Sequence, residues 1–262
     1  MNARNETSQY PSPHGMPVDE WNARVDVAAA YRLARMYNWD DLLGTHISMR
    51  LPGHDDRFLL NPYGLLFEEI TASSLIVVDM EGNKLSDSPY GVHKPGFVVH
   101  SAVHMGRGDA HCVFHSHGDD GVAVSMQHQG LLPVSQKALV SWSELRYHEF
   151  RGATFDEAER ASMLTDLGDG TMMILRNHGT LAIGATVAEA FQRMYRLERA
   201  CTYQVRAMSG GAELNPVSQD VIDRTVEQGR QFYGKPGATG PNALAWAALR
   251  RRLDRIDPSY AT

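Results

Sequence analysis

The chain has 262 residues, of which 43% are hydrophobic and 21% charged, a composition typical of a globular protein with a sizeable core. Its 25 basic and 31 acidic residues give a net charge of -6, and the basic residues are scattered apart from one short cluster near the C-terminus, which argues against nucleic acid as the main partner. Because the polar start lacks a signal sequence and no apolar run reaches the roughly 20 residues of a membrane span, we expect a cytoplasmic protein without a membrane partner.

The first half of the chain predicts a tail, a helix and a meander of strands. Residues 1–16 are polar and rich in turn formers, so we predict a flexible tail followed by one domain over residues 17–262. An amphipathic helix begins near Pro17, where apolar residues recur close to a 3.6-residue period. The segments HISMRL, DRFLLNP and SLIVVDMEGN are separated by turn sequences and predict antiparallel strands.

The second half alternates helices and strands. Helices are predicted over GFVVHSAVHMGRGD, DDGVAVSMQ, residues 155–166, the long segment from TVAEAF, and residues 216–232 and 242–255. AHCVFHSH predicts a strand, TMMILRNHGTLAIGA predicts two strands joined by a tight turn, and PVSQKALVSW is ambiguous between strand and loop. This order predicts an α/β fold, a three-layer α/β/α domain with a mostly antiparallel central sheet.

Three histidines are the candidate ligands of a metal ion. His115 and His117 are two positions apart, so within a strand their rings lie on the same face. His178 occupies a tight turn between two apolar strands and could present its ring to the same point. We therefore predict one divalent cation, with zinc favoured and Fe(II) or Mn as alternatives. Isolated histidines are more often structural, and we interpret His100, His104 and His111 in that way. For His46 the sequence leaves open whether it lines a pocket or caps a strand.

Several motifs together resemble the class II aldolase/adducin family over roughly residues 18–230. The motifs are GTHISMR, NPYGLLFEEIT, GFVVHSAVHMGRGDAHCVFHSHGDDGVAVS and MMILRNHGTLAIGATVAEAFQRMYRLERAC. The family includes sugar-phosphate aldolases and epimerases, the adducin head domain, decarboxylases and iron oxygenases. The resemblance implies a three-layer α/β/α domain, a zinc-type site at His115, His117 and His178, and commonly a tetramer with active sites at subunit contacts.

The chain departs from the aldolase pattern at the positions that handle phosphate and protons. Where aldolases carry Ser-Ser-Glu, with Glu as the catalytic base, this chain has Lys94-Pro95-Gly96. Their early asparagine is replaced by His46, and the position of a catalytic tyrosine is occupied by Gln136 or Lys137. This pattern is closer to the adducin-like branch, here as a bacterial-type single-domain protein. The candidates for moving the proton are His93, His46, Tyr147, His148, Glu68 and Glu69.

We therefore predict a metal-dependent lyase that acts on a small carbonyl-bearing or carboxylate-bearing molecule. The reaction would be aldol cleavage or decarboxylation of an oxo or hydroxy acid through a metal-stabilised enolate, with Lys94 as the cation that meets a carboxylate. One alternative is a non-haem Fe(II) oxygenase acting on a 2-oxo or hydroxy acid. The other is a non-catalytic, adducin-like interaction protein. In each case a homo-oligomer, with the tetramer favoured, is expected from the resemblance.

Overall fold

A computed structural model describes residues 10–13, 15–152, 157–235 and 238–262, with the backbone alone for residues 94, 95, 157 and 158. The strands of this described part are β1 (His46–Arg50), β2 (Phe58–Leu60), β3 (Ile76–Val78), β4 (Cys112–Ser116), β5 (Leu145–His148), β6 (Met172–Leu175) and β7 (Gly179–Gly184). Its helices are α1 (Val18–Met36), α2 (Lys94–Gly106), α3 (Asp119–Ser125), α4 (Gln136–Leu139), α5 (Glu157–Leu167), α6 (Val187–Ser209), α7 (Gln219–Tyr233) and α8 (Pro241–Ile256).

The two longest helices begin at signals that the sequence carries. Pro17 precedes α1, and Asp19 and Glu20 lie in its first turn, where negative charge favours the helix dipole. At α6 the Thr186 hydroxyl accepts a hydrogen bond of 3.2 Å from the Glu189 amide, which satisfies a backbone donor that the helix leaves free. Both helices bury an apolar face against the sheet.

The seven strands form one sheet in the order β3-β2-β1-β4-β7-β6-β5. All neighbouring pairs are antiparallel except β5 and β6, which run parallel. One face carries α1, α3, α6 and α8, whereas α2 and α5 cover the other face. Along β4 the buried side chains alternate, with Phe114 in the core beneath α6 and Val113 in the core beneath α2. The predicted α/β fold with a mostly antiparallel sheet between helical layers is confirmed.

Two elements differ from the sequence-based prediction. The segment interpreted as strand or loop contains the short helix α4, whose start is capped where the Ser135 hydroxyl accepts from the Ala138 amide at 3.3 Å. Strand β5 follows and pairs with β6 from Leu145 opposite Met172 to His148 opposite Leu175. No strand was predicted there, because four residues with two polar side chains carry too little periodicity to be recognised.

The predicted N-terminal tail, residues 1–16, lies mostly outside the described residues. Within it, the Tyr10 hydroxyl lies 2.9 Å from that of Tyr260 and also contacts the Asp254 carboxylate. The chain is therefore attached to the C-terminal segment at Tyr10. No helix in the described part of the chain combines the length and apolar character that crossing a membrane requires.

Candidate metal centre

The site lies where the central strands β1, β4 and β7 meet the start of α2. His46 and His115 are direct neighbours across the β1–β4 pair, so both rings project from the sheet face that α2 covers. His117 follows the end of β4 on that same face. His178 enters from the turn between β6 and β7. Adjacent strands thus bring together residues that are far apart in sequence.

The three predicted ligands converge. The ring centroids lie 4.7 Å apart for His115 and His117, 4.7 Å for His115 and His178, and 5.0 Å for His117 and His178. The Nε2 atoms of His115 and His117 are 3.0 Å apart. One nitrogen from each ring lies within 4.8 Å of the others. This spacing fits three imidazoles sharing a cation with Zn–N bonds of roughly 2.0–2.1 Å.

Hydrogen bonds from Nδ1 of His115 and His117 determine that Nε2 of each ring faces the other histidines. His115 Nδ1 donates to the Thr180 carbonyl oxygen at 2.9 Å, because a carbonyl can only accept. His117 Nδ1 lies 2.8 Å from Oδ2 of Asp41 and donates to that carboxylate. In the neutral rings Nε2 then carries the lone pair, which is the arrangement that a metal ligand needs.

The turn that presents His178 depends on the backbone conformation of Asn177 and on the lack of a side chain at Gly179. Asn177 adopts a left-handed φ of 56°, which asparagine tolerates better than most residues, and the His178 amide donates to the Leu175 carbonyl at 3.1 Å. A Cβ on Gly179 would lie 2.4 Å from the Ser116 carbonyl oxygen. Glycine is therefore required for β7 to start this close to the end of β4.

The surroundings favour uncharged ligands. Burial holds the pKa of His115 well below its usual value, with the neighbouring His178 and His117 adding to the effect. Burial likewise lowers the pKa of His178 to about 4, with His117 as the second cause. Because only the neutral imidazole binds a metal, these depressed pKa values match the donor set of a zinc-type site.

A cavity of about 250 Å³ opens beside the three histidines. Its described lining consists of Gly44, His46, His93, Gly96, Val99, His115, His117, Phe150, Gly152 and His178. His46 is buried, and its ring stacks on that of His93 with centroids 4.9 Å apart. His93 also stacks on Tyr63, whose ring centroid lies 5.0 Å away. The cavity is thus walled by five histidines, two of which are outside the ligand set.

The resemblance implies that Gly96 occupies the position of the aldolase glutamate, and the structure gives a reason for its small size. A Cβ on Gly96 would lie 2.1 Å from Cε1 of His46 and 2.7 Å from both ring nitrogens. The His46 ring therefore occupies the space into which a side chain at position 96 would extend. The two departures from the aldolase pattern, at His46 and Gly96, are sterically linked.

Tyr147 and His148 are hydrogen-bonded outside the cavity, although His148 lines a small adjoining pocket with His178. The Tyr147 hydroxyl accepts from the Leu131 amide at 3.1 Å, and His148 Nδ1 lies 2.7 Å from Oδ2 of Asp166. Both side chains therefore have structural partners, and neither is among the described residues of the cavity wall. Lys94 begins α2, two residues before Gly96 of the cavity wall, and its side chain lies outside the described residues.

The acidic and loop candidates are also removed from the cavity. Glu68 pairs with Arg35 at 3.3 Å, and Glu69 accepts from the Leu66 amide at 2.8 Å. Gln136 and Lys137 line a separate groove between α4 and α7. Among the described residues, none of these four contributes to the cavity wall.

Three residues behind the ligands were not found from the sequence. Asp41 and Thr180 orient His117 and His115 as described above. Glu198 on α6 is buried and accepts from the Thr180 hydroxyl at 2.5 Å, and burial raises its pKa to about 7. A Cβ on Gly121 would lie 2.5 Å from Oε1 of this carboxylate. Thr180 and Glu198 stand within the motif MMILRNHGTLAIGATVAEAFQRMYRLERAC, but a motif does not show which side chains its residues contact, and Asp41 meets His117 across 76 residues.

Known proteins resemble this chain over most of its length. Residues 25–205 match the family model described as Class II Aldolase and Adducin N-terminal domain. A Caulobacter vibrioides protein, which its name assigns provisionally to the class 2 aldolases, is 47% identical over 246 residues, covering 92% of this chain and 93% of that protein. Alpha-adducin of Rattus norvegicus is 41% identical over 243 residues, which are 89% of this chain but 33% of the adducin. The crystal structure of an aldolase II superfamily protein from Pseudomonas syringae has a TM-score of 0.90 and 43% identity, covering 95% of this chain and 98% of that one.

Proposed function

Because this chain belongs to the class II aldolase and adducin family, we propose that it is a metal-dependent lyase that cleaves a carbon–carbon bond of a small oxo or hydroxy acid. The observation that carries the proposal is the convergence of His115, His117 and His178 at the wall of a cavity of about 250 Å³. An ion held by three protein ligands keeps positions open for substrate and acts there as a Lewis acid, with zinc as the proposed ion.

The chemistry of the cavity wall supports a substrate without a phosphate. Among its described side chains none is arginine, lysine, serine, threonine or asparagine. A dianionic phosphate has many acceptor sites, and leaving them without donors in a buried site costs several kcal/mol. A carboxylate needs fewer donors. Lys94, at the start of α2, is the proposed partner of that carboxylate, as a single point charge suits it.

His46 and His93 would together carry out the proton transfer. Position 96 has no side chain that could act as the base, and the His46 ring fills the adjoining space. His46 Nε2 lies 3.0 Å from His93 Nδ1, and both rings line the cavity. The pair would hold or accept the proton that leaves or enters the substrate carbon next to the polarised carbonyl.

A second candidate function is non-catalytic. Identity of 41% to rat alpha-adducin over 89% of this chain favours an adducin-like interaction protein, in which the metal only orders the domain. This function predicts that no small molecule binds at the cavity. The iron oxygenase alternative predicts instead that the purified protein contains Fe(II) and consumes oxygen.

A binding screen on zinc-loaded protein tests the proposal. Calorimetric titration would compare 2-oxo and 2-hydroxy acids with sugar phosphates of matched carbon number. We expect binding of an acid that Lys94→Met weakens while the metal content stays unchanged. Lys235→Met, which removes an exposed lysine of the groove between α4 and α7, is the matched control and should bind like the wild type.

Two outcomes would contradict this assignment. Tight binding of a sugar phosphate that is insensitive to Lys94→Met would overturn the substrate class. Failure of every compound to bind to fully metal-loaded protein would favour the adducin-like interaction protein.

A further inference from the structure

A chain of buried hydrogen bonds runs from the loop after α2 towards the cavity. His104 Nδ1 lies 2.7 Å from the Ala110 carbonyl oxygen, and its Nε2 lies 2.7 Å from the Ser48 hydroxyl. The same hydroxyl lies 2.7 Å from His100 Nδ1. Ser48, His100 and His104 are all buried. These groups lie on the sheet face that also carries His46, two residues before Ser48 on β1.

The Ala110 carbonyl at one end determines which group donates and which accepts in each of these hydrogen bonds. A carbonyl only accepts, so the proton of His104 is on Nδ1. Burial lowers the pKa of His104 to about 3, so the ring is neutral and its Nε2 must accept the Ser48 O–H. Since a hydroxyl has one hydrogen, its oxygen then accepts from His100 Nδ1–H. Burial also holds His100 neutral by lowering its pKa far below the usual value, so His100 Nε2 is an acceptor.

The next link is between two nitrogens that lack partners. Among the described residues, neither His100 Nε2 nor His46 Nδ1 has a hydrogen-bonding partner, although both atoms are buried. The two rings are neighbours in a T-shaped arrangement with centroids 5.8 Å apart. An N–H on His46 Nδ1 beside the lone pair of His100 Nε2 is electrostatically favourable, whereas two lone pairs on neighbouring buried rings would repel each other and both stay unsatisfied.

We propose that Ser48, His100 and His104 are positioning residues that fix the proton of His46 on Nδ1, and thereby make His93 Nε2 the base of the cavity. With its proton on Nδ1, His46 offers the Nε2 lone pair to His93, 3.0 Å away. His93 must then donate from Nδ1, and its Nε2 keeps a lone pair. The opposite arrangement of His46 would place the proton on His93 Nε2, which would then be a hydrogen-bond donor without a lone pair to accept a proton. This inference rests on the proposed function for the role of His93, but the proton positions are independent of substrate.

Neutron diffraction from zinc-loaded crystals exchanged into deuterium oxide locates the protons directly. We expect deuterium on Nδ1 of all four rings, His104, His100, His46 and His93, and none on Nε2 of His46 or His93. Deuterium on His46 Nε2 in the wild-type protein would overturn the proposal without any variant. Because no substrate is present, this result does not depend on whether the protein binds an oxo acid.

Two serine variants test whether Ser48 sets the proton position on His46 or has only a packing role. Ser48→Ala removes the hydroxyl that sets His100, so deuterium at His46 Nδ1 should be lost in part and appear at Nε2. Ser101→Ala is the matched control, because Ser101 is also buried but bonds to the Val98 carbonyl on its own helix. It should leave every proton in place. A folded Ser48→Ala protein with the wild-type protons on His46 and His93 would assign only a packing role to Ser48.

Discussion

Oδ2 of Asp41 lies 2.8 Å from Nδ1 of His117, although 76 residues separate them in the chain. This contact brings the loop after α1 against the end of β4. It leaves the lone pair of His117 on Nε2, towards His115 and His178. A carboxylate behind a metal-binding histidine both orients the ring and increases its basicity.

Asp41→Ala should therefore weaken zinc binding by about 10–100-fold, the range typical of such partners. The side chain of Asp41 is 58% exposed, so we expect little change in the free energy of unfolding. Asp40→Ala is a suitable control, since it removes the adjacent carboxylate, which pairs with Arg35 at 3.6 Å. Competition with a chelator measures the zinc affinity. Equal affinity in both variants would show that Asp41 does not support His117.

Gly96→Ala should destabilise the protein by about 1–3 kcal/mol, the usual cost of forcing a methyl group into a filled site. The added Cβ would meet the His46 ring at 2.1 Å. Alanine is otherwise the better helix former by about 1 kcal/mol, so the clash must exceed this gain. Gly108→Ala, whose Cβ would meet nothing within 4 Å, serves as the control. Urea unfolding measures the free energy of unfolding of each variant. A Gly96→Ala protein more stable than wild type would exclude the clash.

The buried histidines should make the fold sensitive to acid. Burial lowers the pKa of His104 to about 3 from its ordinary value of 6.5, so the unfolded chain binds one more proton between these values. The free energy of unfolding then falls as the pH drops below about 6.5, by about 1.4 kcal/mol per pH unit for this residue. Above that pH the residue is neutral in both states and has no effect.

His104→Gln should consequently lose less stability on acidification than the wild type. Between pH 7.5 and pH 5 the wild type should lose about 2 kcal/mol more free energy of unfolding than the variant. This value is the slope for one proton multiplied by the roughly 1.5 pH units below the ordinary histidine pKa. Urea unfolding of chelator-treated protein at both pH values measures it. Parallel losses in the two proteins would mean that His104 takes up no proton on unfolding.

We also expect a homotetramer, which the resemblance to the class II aldolase/adducin family implies. Sedimentation velocity at micromolar concentration should give a species of about 116 kDa, four times the 29.1 kDa of one chain. A single species of 29.1 kDa would contradict this expectation.

The sequence predicted the three candidate ligands from two local patterns, and the family resemblance implied that His178 meets the other two histidines. His115 and His117 share a face through the two-residue period of a strand, and the turn around His178 is visible as Asn177 followed two residues later by Gly179. The same reasoning could not reach Asp41 or Thr180, since each meets its histidine across 76 or 65 residues. Contacts of this kind depend on how the strands are ordered in the sheet.

The structural interpretation of His100 and His104 was partly informative. Both are buried as expected of structural residues, yet they are hydrogen-bonded through Ser48, and the His100 ring lies in T-shaped contact with that of His46. His46 itself was left open between two roles, and its position in the cavity depends on the missing side chain at Gly96. The sequence showed each departure from the aldolase pattern separately, whereas their steric link required the packing of α2 on β1.

Metal analysis of the protein purified without added metal tests the central claim most directly. Wild-type protein should contain one divalent ion per chain, with zinc expected. His115→Ala, His117→Ala and His178→Ala should each lose it while remaining folded by circular dichroism. His111→Ala, which removes an exposed histidine of the loop before β4, should retain it. A wild-type protein that binds no divalent ion even after zinc is added, or a variant of one of the three ligands that keeps full occupancy, would contradict the three-histidine centre.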